Sequence, residues 1–106
     1  MSEFNDIIKS KKPTLVDFYA TWCGPCKMQS PIIDQVKNVV GDEATILKID
    51  VDANPELAQR YNVRSIPTLI IFVEGEPAWR GYGVHQADQL VAKINEFQKL
   101  KSDIGK

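Results

Sequence analysis

The sequence of 106 residues is short of the features that mark membrane, nucleic-acid-binding and metal-binding proteins. Its two cysteines and one histidine are too few for a four-ligand structural zinc site unless carboxylates join them. No apolar run approaches the roughly 18 residues that cross a bilayer; the longest is Leu69 to Val73. The 13 basic and 14 acidic residues are interspersed. We therefore expect no nucleic-acid partner and no membrane partner.

The first residues, M-S-E-F-N-D, also lack the basic and apolar regions of a secretory signal peptide. The sequence therefore predicts a cytoplasmic protein, although a secreted protein without its leader would look the same. With 43% hydrophobic and 25% charged residues, residues 1–106 are expected to form a single globular domain. Structural disulfides are rare in the cytosol, so two cysteines there indicate reactive or metal-binding groups.

Both cysteines lie in Trp22-Cys23-Gly24-Pro25-Cys26, between a strand-like run and a helical run. A C-x-x-C at such a junction predicts a dithiol redox site. Two alternatives are a static disulfide and half of a zinc site completed by carboxylates and His85. Apart from that possibility, His85 is expected to be a loop residue without a role.

Hydrophobic periodicity predicts the element order α, β, α, β, α, β, β, α. The expected helices cover Glu3–Lys12, Lys27 to about Val40, a short stretch from Asn54-Pro55-Glu56, and Ala87–Leu100; the expected strands cover Thr14–Ala20, Thr45–Val51, Thr68–Val73 and Pro77–Tyr82. Alternating strands and helices predict an α/β fold with right-handed crossovers. The expected sheet is mixed and has four strands, three in parallel βαβ arrangement plus an antiparallel hairpin strand, flanked by four helices.

W-C-G-P-C-K after V-D-F-Y-A, with Ile66-Pro67-Thr68 ahead of the hairpin, resembles the thioredoxin family. The resemblance runs from about Phe4 into the last helix. It also includes Asp17, Pro31, Lys48, Asp52, Pro55, Gly75 and Gly83. C-G-P-C flanked by Trp22 and Lys27 separates thioredoxins from disulfide isomerases and oxidants of the same fold, which usually carry other residues between the cysteines.

Two features depart from the family pattern. Thioredoxins usually begin with an edge strand ahead of the first helix, whereas here the residues before Pro13 are used by the helix. We therefore expect four strands, with Thr45–Val51 as an uncovered edge. Tyr19 stands where the family often has tryptophan, which affects the packing beneath the site rather than its chemistry.

The residues and the resemblance together imply distinct roles for the two cysteines. Cys23 is expected at the first turn of a helix, where unpaired N–H groups favour a thiolate, and is the predicted nucleophile. Cys26, one turn on, is the predicted resolving thiol. Asp17 is the predicted general base for Cys26, although a strand-end acid can equally face solvent. Lys48 is the predicted charge partner of Asp17, although a strand lysine is more often a solvated edge residue.

The resemblance also implies a flat, mostly apolar substrate-binding surface around Cys23. Its predicted members are Trp22, Gly24, Pro25, Ile66, Pro67, Gly83 and Val84. The Ile66–Pro67 bond is expected to be cis by family resemblance, whereas most X-Pro bonds are trans. Core packing is the alternative for Trp22.

The implied function is that of a protein-disulfide reductase and dithiol electron carrier in cell redox homeostasis. No bound cofactor or metal is expected beyond a redox-active Cys23–Cys26 disulfide, with reducing equivalents from NADPH through a flavoprotein, thioredoxin reductase. Family substrates include ribonucleotide reductase, peroxiredoxin and methionine sulfoxide reductase, and the expected state is a monomer. A docking subunit with incidental redox activity and an exported oxidant or isomerase are the alternatives.

Overall fold

A computed structural model describes residues 2–104 of the chain, with side chains described for residues 3–98. The elements in this range are α1 (Ser2–Ile8), β1 (Thr14–Tyr19), α2 (Gly24–Val40), a 3-10 turn (Gly41–Glu43), β2 (Thr45–Asp50), α3 (Pro55–Arg60), β3 (Thr68–Val73), β4 (Glu76–Tyr82) and α4 (Ala87–Ile104). The predicted element order is confirmed. Helix α1 ends four residues earlier than expected. The Ile8 carbonyl instead accepts a hydrogen bond of 2.8 Å from Gly75 N–H in the β3–β4 hairpin.

Over residues 2–104 the sheet has four strands in the order β2-β1-β3-β4. Helix α1 is the first element of the described chain, and β2 and β4 are the edge strands of the sheet. The mixed four-stranded sheet, the four helices and the open edge at β2 are therefore as predicted. The pairing of β3 with β4 has a register shift between Ile71 and Phe72, where Phe72 is opposite Pro77; proline within a sheet is confined to such irregular or edge positions.

The expectation of three parallel strands is wrong. Strand β1 is parallel to β2, but β3 is antiparallel to β1 and β4 is antiparallel to β3. The reason is the length of the connections. Helix α2 has 17 residues and spans about 25 Å, enough to return the chain along a strand of about 20 Å. Helix α3 has six residues and spans only about 9 Å, so β3 starts at the end of the sheet where β2 finished.

Each face of the sheet is covered by one pair of helices. On one face α2 and α4 pack against β1 and β3, with a core of Leu15, Ile33, Val36, Val40, Ala44, Leu69, Ile71, Leu90 and Ile94. On the other face α1 and α3 contribute to a core of Phe4, Ile8, Val16, Phe18, Leu57, Ile70 and Phe72. The two central strands are buried on both faces, which explains their continuous apolar sequences. Strand β1 and helix α2 are thereby held rigidly on either side of the cysteine motif.

Candidate redox site at the start of helix α2

Cys23 ends the turn that joins β1 to α2, Cys26 lies in the first turn of α2, and the two form a disulfide bond. Their Cα atoms are 5.3 Å apart, within the usual range for bridged cysteines. Both are nearly buried, with 5% of Cys23 and 3% of Cys26 exposed. Cys26 is thus the more buried, as expected, but the difference is small. Position in the helix, rather than burial, separates the two residues.

Cys23 is the N-cap residue of α2. Its backbone is extended and its Sγ accepts a hydrogen bond of 3.2 Å from the Cys26 N–H. The same Sγ lies 3.8 Å from the carbonyl oxygen of Ile66. Pro25 occupies the first helical turn, where its missing N–H leaves no bond unmade. A helix N-terminus with a sulfur as its cap stabilises negative charge on that sulfur once the disulfide is reduced.

A cavity of about 300 Å³ lies behind the disulfide, on the Cys26 side. Its lining residues are Asp17, Tyr19, Ala20, Thr21, Cys26, Lys27, Ser30 and Lys48. The predicted acid, the predicted resolving thiol and the predicted lysine therefore share one space. Tyr19, which departs from the family pattern, lies in the cavity wall.

Asp17 is the buried acid of this cavity, with only 1% of its surface exposed. Its Oδ1 has no hydrogen-bond partner among the described residues. Burial raises the pKa of Asp17 from its ordinary value of 3.8 to about 6, and the positive charge of Lys48 lowers this pKa by a smaller amount. A solvent-facing acid at a strand end, the alternative interpretation, is ruled out by this burial.

Lys48 does not form the predicted ion pair with Asp17. The two residues are opposite one another in the β1–β2 register. The Lys48 ammonium instead lies 2.9 Å from Asp34 Oδ1 and donates a hydrogen bond of 2.7 Å to Ser30 Oγ, both on α2. The long lysine side chain thus reaches the partly exposed carboxylate, where it avoids the desolvation that a buried pair would require. Sequence reasoning missed Ser30 and Asp34, because neither stands out from its neighbours on the helix.

Trp22 is exposed beside the cysteines, with 69% of its surface accessible, so core packing is excluded. Its indole N–H donates a hydrogen bond of 2.8 Å to Asp52 Oδ2, in the loop after β2. This bond orients the ring without burying it. Close to Trp22, Gly24 has no atom of a non-neighbouring residue within 4 Å of the place where a side chain would begin, which leaves open space at Gly24.

The loop ahead of β3 forms the opposite side of the site, and its Ile66–Pro67 bond is cis. The Pro67 carbonyl accepts a hydrogen bond of 3.0 Å from Gly83 N–H at the end of β4. Ile66, Gly83 and Val84 are half-buried. The structure therefore brings the Ile66–Pro67 pair to Cys23 and places Gly83 directly against that pair.

Gln29 is a third residue that sequence reasoning missed, after Ser30 and Asp34. It is fully buried, and its side-chain amide makes two hydrogen bonds to the backbone of His85. A signal was present in the sequence: Gln29 begins the i, i+4, i+7 stripe of Ile33 and Val36, so a polar side chain occupies a core position. His85, expected to have no role, packs edge-to-face on Trp79 with a ring separation of 5.4 Å.

Comparisons with known proteins agree with this geometry. The family model described as Thioredoxin matches residues 1–96. The chain is 48% identical over 88 residues to a thioredoxin-like protein of Synechocystis, covering 83% of this chain and 84% of that protein. It is 43% identical over 95 residues to a bifunctional thioredoxin reductase/thioredoxin of Mycobacterium leprae, covering 90% of this chain and 21% of that protein. Among solved structures, a mutant thioredoxin from Halobacterium salinarum has a TM-score of 0.84 at 37% identity, covering 92% of this chain and 85% of that one.

The described residues contain neither a metal-binding cluster nor a membrane-spanning helix. No group of three or more histidine, cysteine or acidic side chains there is arranged to hold a metal ion. None of the helices described is both long and apolar enough to cross a membrane. The disulfide and its cavity thus remain the chemical centre of the described chain.

Proposed function

We propose that this chain, which belongs to the thioredoxin family and is a thiol–disulfide oxidoreductase, reduces protein disulfides. In this proposal Cys23 is the nucleophile and Cys26 is the resolving thiol. The observation that carries the assignment is the position of Cys23 as N-cap of α2, which favours its thiolate. Cys26 lies behind it, facing the cavity that holds Asp17.

The proposed reaction moves two electrons from the protein to the substrate in two exchanges. The Cys23 thiolate attacks one sulfur of a substrate disulfide, and the other substrate sulfur leaves as a thiolate and takes up a proton. Cys26 then loses its proton to Asp17 and attacks Cys23 Sγ in the mixed disulfide. The second substrate sulfur leaves, and the protein carries the Cys23–Cys26 disulfide.

Asp17 suits the role of proton acceptor because its pKa of about 6 lies near neutrality. The acid is then ionised when Cys26 must be deprotonated and is still a good enough base to take the proton. Lys48, held on Ser30 and Asp34, contributes a positive charge across the cavity from Asp17 rather than a direct contact.

The substrate surface is proposed to surround Cys23 on three sides. Trp22, Gly24 and Pro25 lie on the helix side, Ile66 and Pro67 on the loop side, and Gly83 and Val84 beside them. The open space over Gly24 and the exposed Trp22 ring support docking of an extended segment around the reacting disulfide.

We also propose that a flavoprotein thioredoxin reductase returns the disulfide to the dithiol with electrons from NADPH. The Mycobacterium leprae relative supports this proposal, since its name joins a thioredoxin reductase to a thioredoxin in one protein. Disulfide-bearing enzymes such as ribonucleotide reductase, peroxiredoxin and methionine sulfoxide reductase are the proposed targets. A cytoplasmic site of action suits a protein that reduces disulfides.

A monomer is the proposed working state. The outer edge of β2 has no strand partner in residues 2–104, but β2 has only six residues, and Lys48 and Asp50 place charges on it. Short, charged edge strands resist pairing with another sheet. Sedimentation at micromolar concentration should give the monomer mass of 11.9 kDa.

Insulin reduction by dithiothreitol tests the activity. The native protein should accelerate it, and Cys23→Ser should abolish the acceleration. In a separate assay without dithiothreitol, reduced Cys26→Ser mixed with insulin should accumulate a mixed disulfide through Cys23, visible as a mass increase that added dithiothreitol then removes. If Cys23→Ser captured substrate and Cys26→Ser did not, the two roles would be reversed.

A further inference from the structure

Gln29 is a buried amide whose hydrogen-bonding capacity is directed at one segment of the chain. Its Oε1 accepts a hydrogen bond of 2.7 Å from His85 N–H, and its Nε2 donates one of 3.0 Å to the His85 carbonyl. A buried amide must be paired, and this one is paired twice with the same residue. The pair of bonds fixes both the distance and the orientation of the His85 backbone relative to α2.

The bonds continue from His85 to the substrate side of the site. His85 Nδ1 lies 2.9 Å from the Gly83 carbonyl oxygen, and Gly83 N–H donates to the Pro67 carbonyl at 3.0 Å. Ile66, next along the chain, places its carbonyl 3.8 Å from Cys23 Sγ. A hydrogen-bonded path thus joins α2 to segment 83–85 and to Pro67, whose neighbour Ile66 lies beside the cysteine that caps α2.

Packing alone does not hold Gly83. Its φ of +77° is one that residues with a side chain rarely adopt, and no atom lies within 4 Å of the place where a side chain would begin. Gly83 therefore has no side-chain packing to fix its position, and the hydrogen bonds of segment 83–85 act beside the packing of His85 on Trp79. Gln29 supplies two of them from the turn of α2 that follows Cys26.

We propose that Gln29 is a positioning residue that ties segment 83–85 to the redox-active helix and so sets the shape of the surface that binds protein substrates. The inference rests on the proposed function, since it concerns the substrate surface of that site. The side-chain hydrogen bonds of Gln29 go to His85 and not to either sulfur. Its loss should weaken recognition of proteins and leave the intrinsic reactivity of the cysteines intact.

The test compares two disulfides of different size. Reduced native protein, Gln29→Met and the control Gln35→Met are mixed with insulin or with the small disulfide dithiobis(nitrobenzoate), and second-order rate constants are measured. Methionine matches glutamine in length without its amide, and Gln35 is exposed on the same helix. We expect Gln29→Met to slow insulin reduction roughly three- to tenfold, through lost preorganisation, and to change the small-disulfide rate less than about twofold.

The rates with the two disulfides separate the positioning role of Gln29 from the proposed function itself. Equal slowing of both reactions, or of neither, would overturn the positioning role, and so would an equal effect of Gln35→Met. Failure of the native protein with insulin would instead overturn the proposed function. Gln29→Leu also lacks the amide, so it should slow insulin reduction to a similar extent, and it replaces the methionine variant if that variant does not fold.

Discussion

Asp17 and Lys48 show how single residues acquire their properties from the sheet around them. The Asp17 carboxyl has its pKa raised because β1 is a central strand and both its faces are covered. Lys48 is on the edge strand beside it and can turn outward to Asp34. Asp17 is therefore held in a low-dielectric space, whereas Lys48 avoids that space and leaves the acid without a direct ion pair.

The buried acid predicts a pH-dependent stability. Because the pKa of Asp17 is higher in the folded chain than in the unfolded one, its favourable contribution is complete below about pH 3.8 and is lost as the pH rises through about 6. Ionised Asp17 should then destabilise the fold by about 3 kcal/mol. Between about pH 3.5 and pH 8, Asp17→Asn should gain stability over the native protein by this amount in urea unfolding of the oxidised form.

The exposed acid Asp42 provides the control for this measurement. Asp42→Asn should show no comparable trend with pH. A constant difference between native protein and Asp17→Asn at all pH values would mean that Asp17 has an ordinary pKa.

Removal of the Lys48 charge should shift the pKa of Asp17. Replacing the lysine with methionine removes a positive charge that lowers the pKa of Asp17, so this pKa should rise above about 6 in Lys48→Met. The titration of the Asp17 carboxyl carbon, followed by NMR, measures the shift directly. Lys93→Met is the matched control, since Lys93 pairs with Glu96 on α4. An unchanged midpoint in Lys48→Met would show that the lysine is too well solvated to act on Asp17.

Among the elements, α1 shows how a short helix is held by tertiary contacts. A helix of seven residues is not stable alone in water. Phe4 anchors it by edge-to-face packing on Phe72, with ring centroids 5.8 Å apart. Asn5 accepts a hydrogen bond of 2.9 Å from Arg60 of α3, and Ile8 is bonded to the hairpin. The buried apolar attachment of α1 therefore consists of Phe4 and Ile8, of which Phe4 has the larger side chain.

Truncation of the Phe4 ring should release α1. Phe4→Ala is expected to lower the free energy of unfolding by about 3 kcal/mol, since it removes a buried aromatic ring and leaves a cavity. Amide hydrogen exchange should become fast across Ser2–Ile8 while β1 and β3 stay protected. Phe97→Ala, at a partly buried site on α4, should cost less and leave the α1 amides unchanged. If the α1 amides stayed protected in Phe4→Ala, the hydrogen bonds of Asn5 and Ile8 would be enough to hold α1 in place.

At the scale of the whole molecule, we expect the free energy of unfolding to differ between the oxidised and the reduced protein. The radius of gyration is 13.1 Å, close to the value of about 13 Å for a compact domain of this length. The fold has one disulfide among the described residues, and it closes a loop of only four residues. So short a loop restricts the unfolded chain only slightly, which suits a bond that must open and close.

We therefore expect the oxidised protein to be more stable than the reduced one by about 2 kcal/mol at 25 °C, from the loop-closure entropy of four residues. Urea unfolding with and without dithiothreitol measures this difference. The Cys23→Ser variant should match the reduced protein and should not respond to dithiothreitol. Equal stability of the oxidised and reduced native protein would contradict the loop-closure argument.

Local patterns in the sequence were sufficient for most of the elements and for the chemistry of the site. The spacing of Cys23 and Cys26 ahead of an amphipathic helix predicts the N-cap cysteine, because capping depends on a few adjacent residues. Continuous apolar runs predict the two central strands, because strands covered on both faces need no polar positions.

Three features were decided only by the tertiary structure. The direction of β3 depends on the lengths of α2 and α3 relative to the sheet. The partner of Lys48 depends on which carboxylate its side chain can reach without losing water, and Asp34 is 14 positions away in the chain. The link from Gln29 to His85 joins residues 56 positions apart. Such contacts depend on how elements pack, whereas periodicity and capping act only between near neighbours in the sequence.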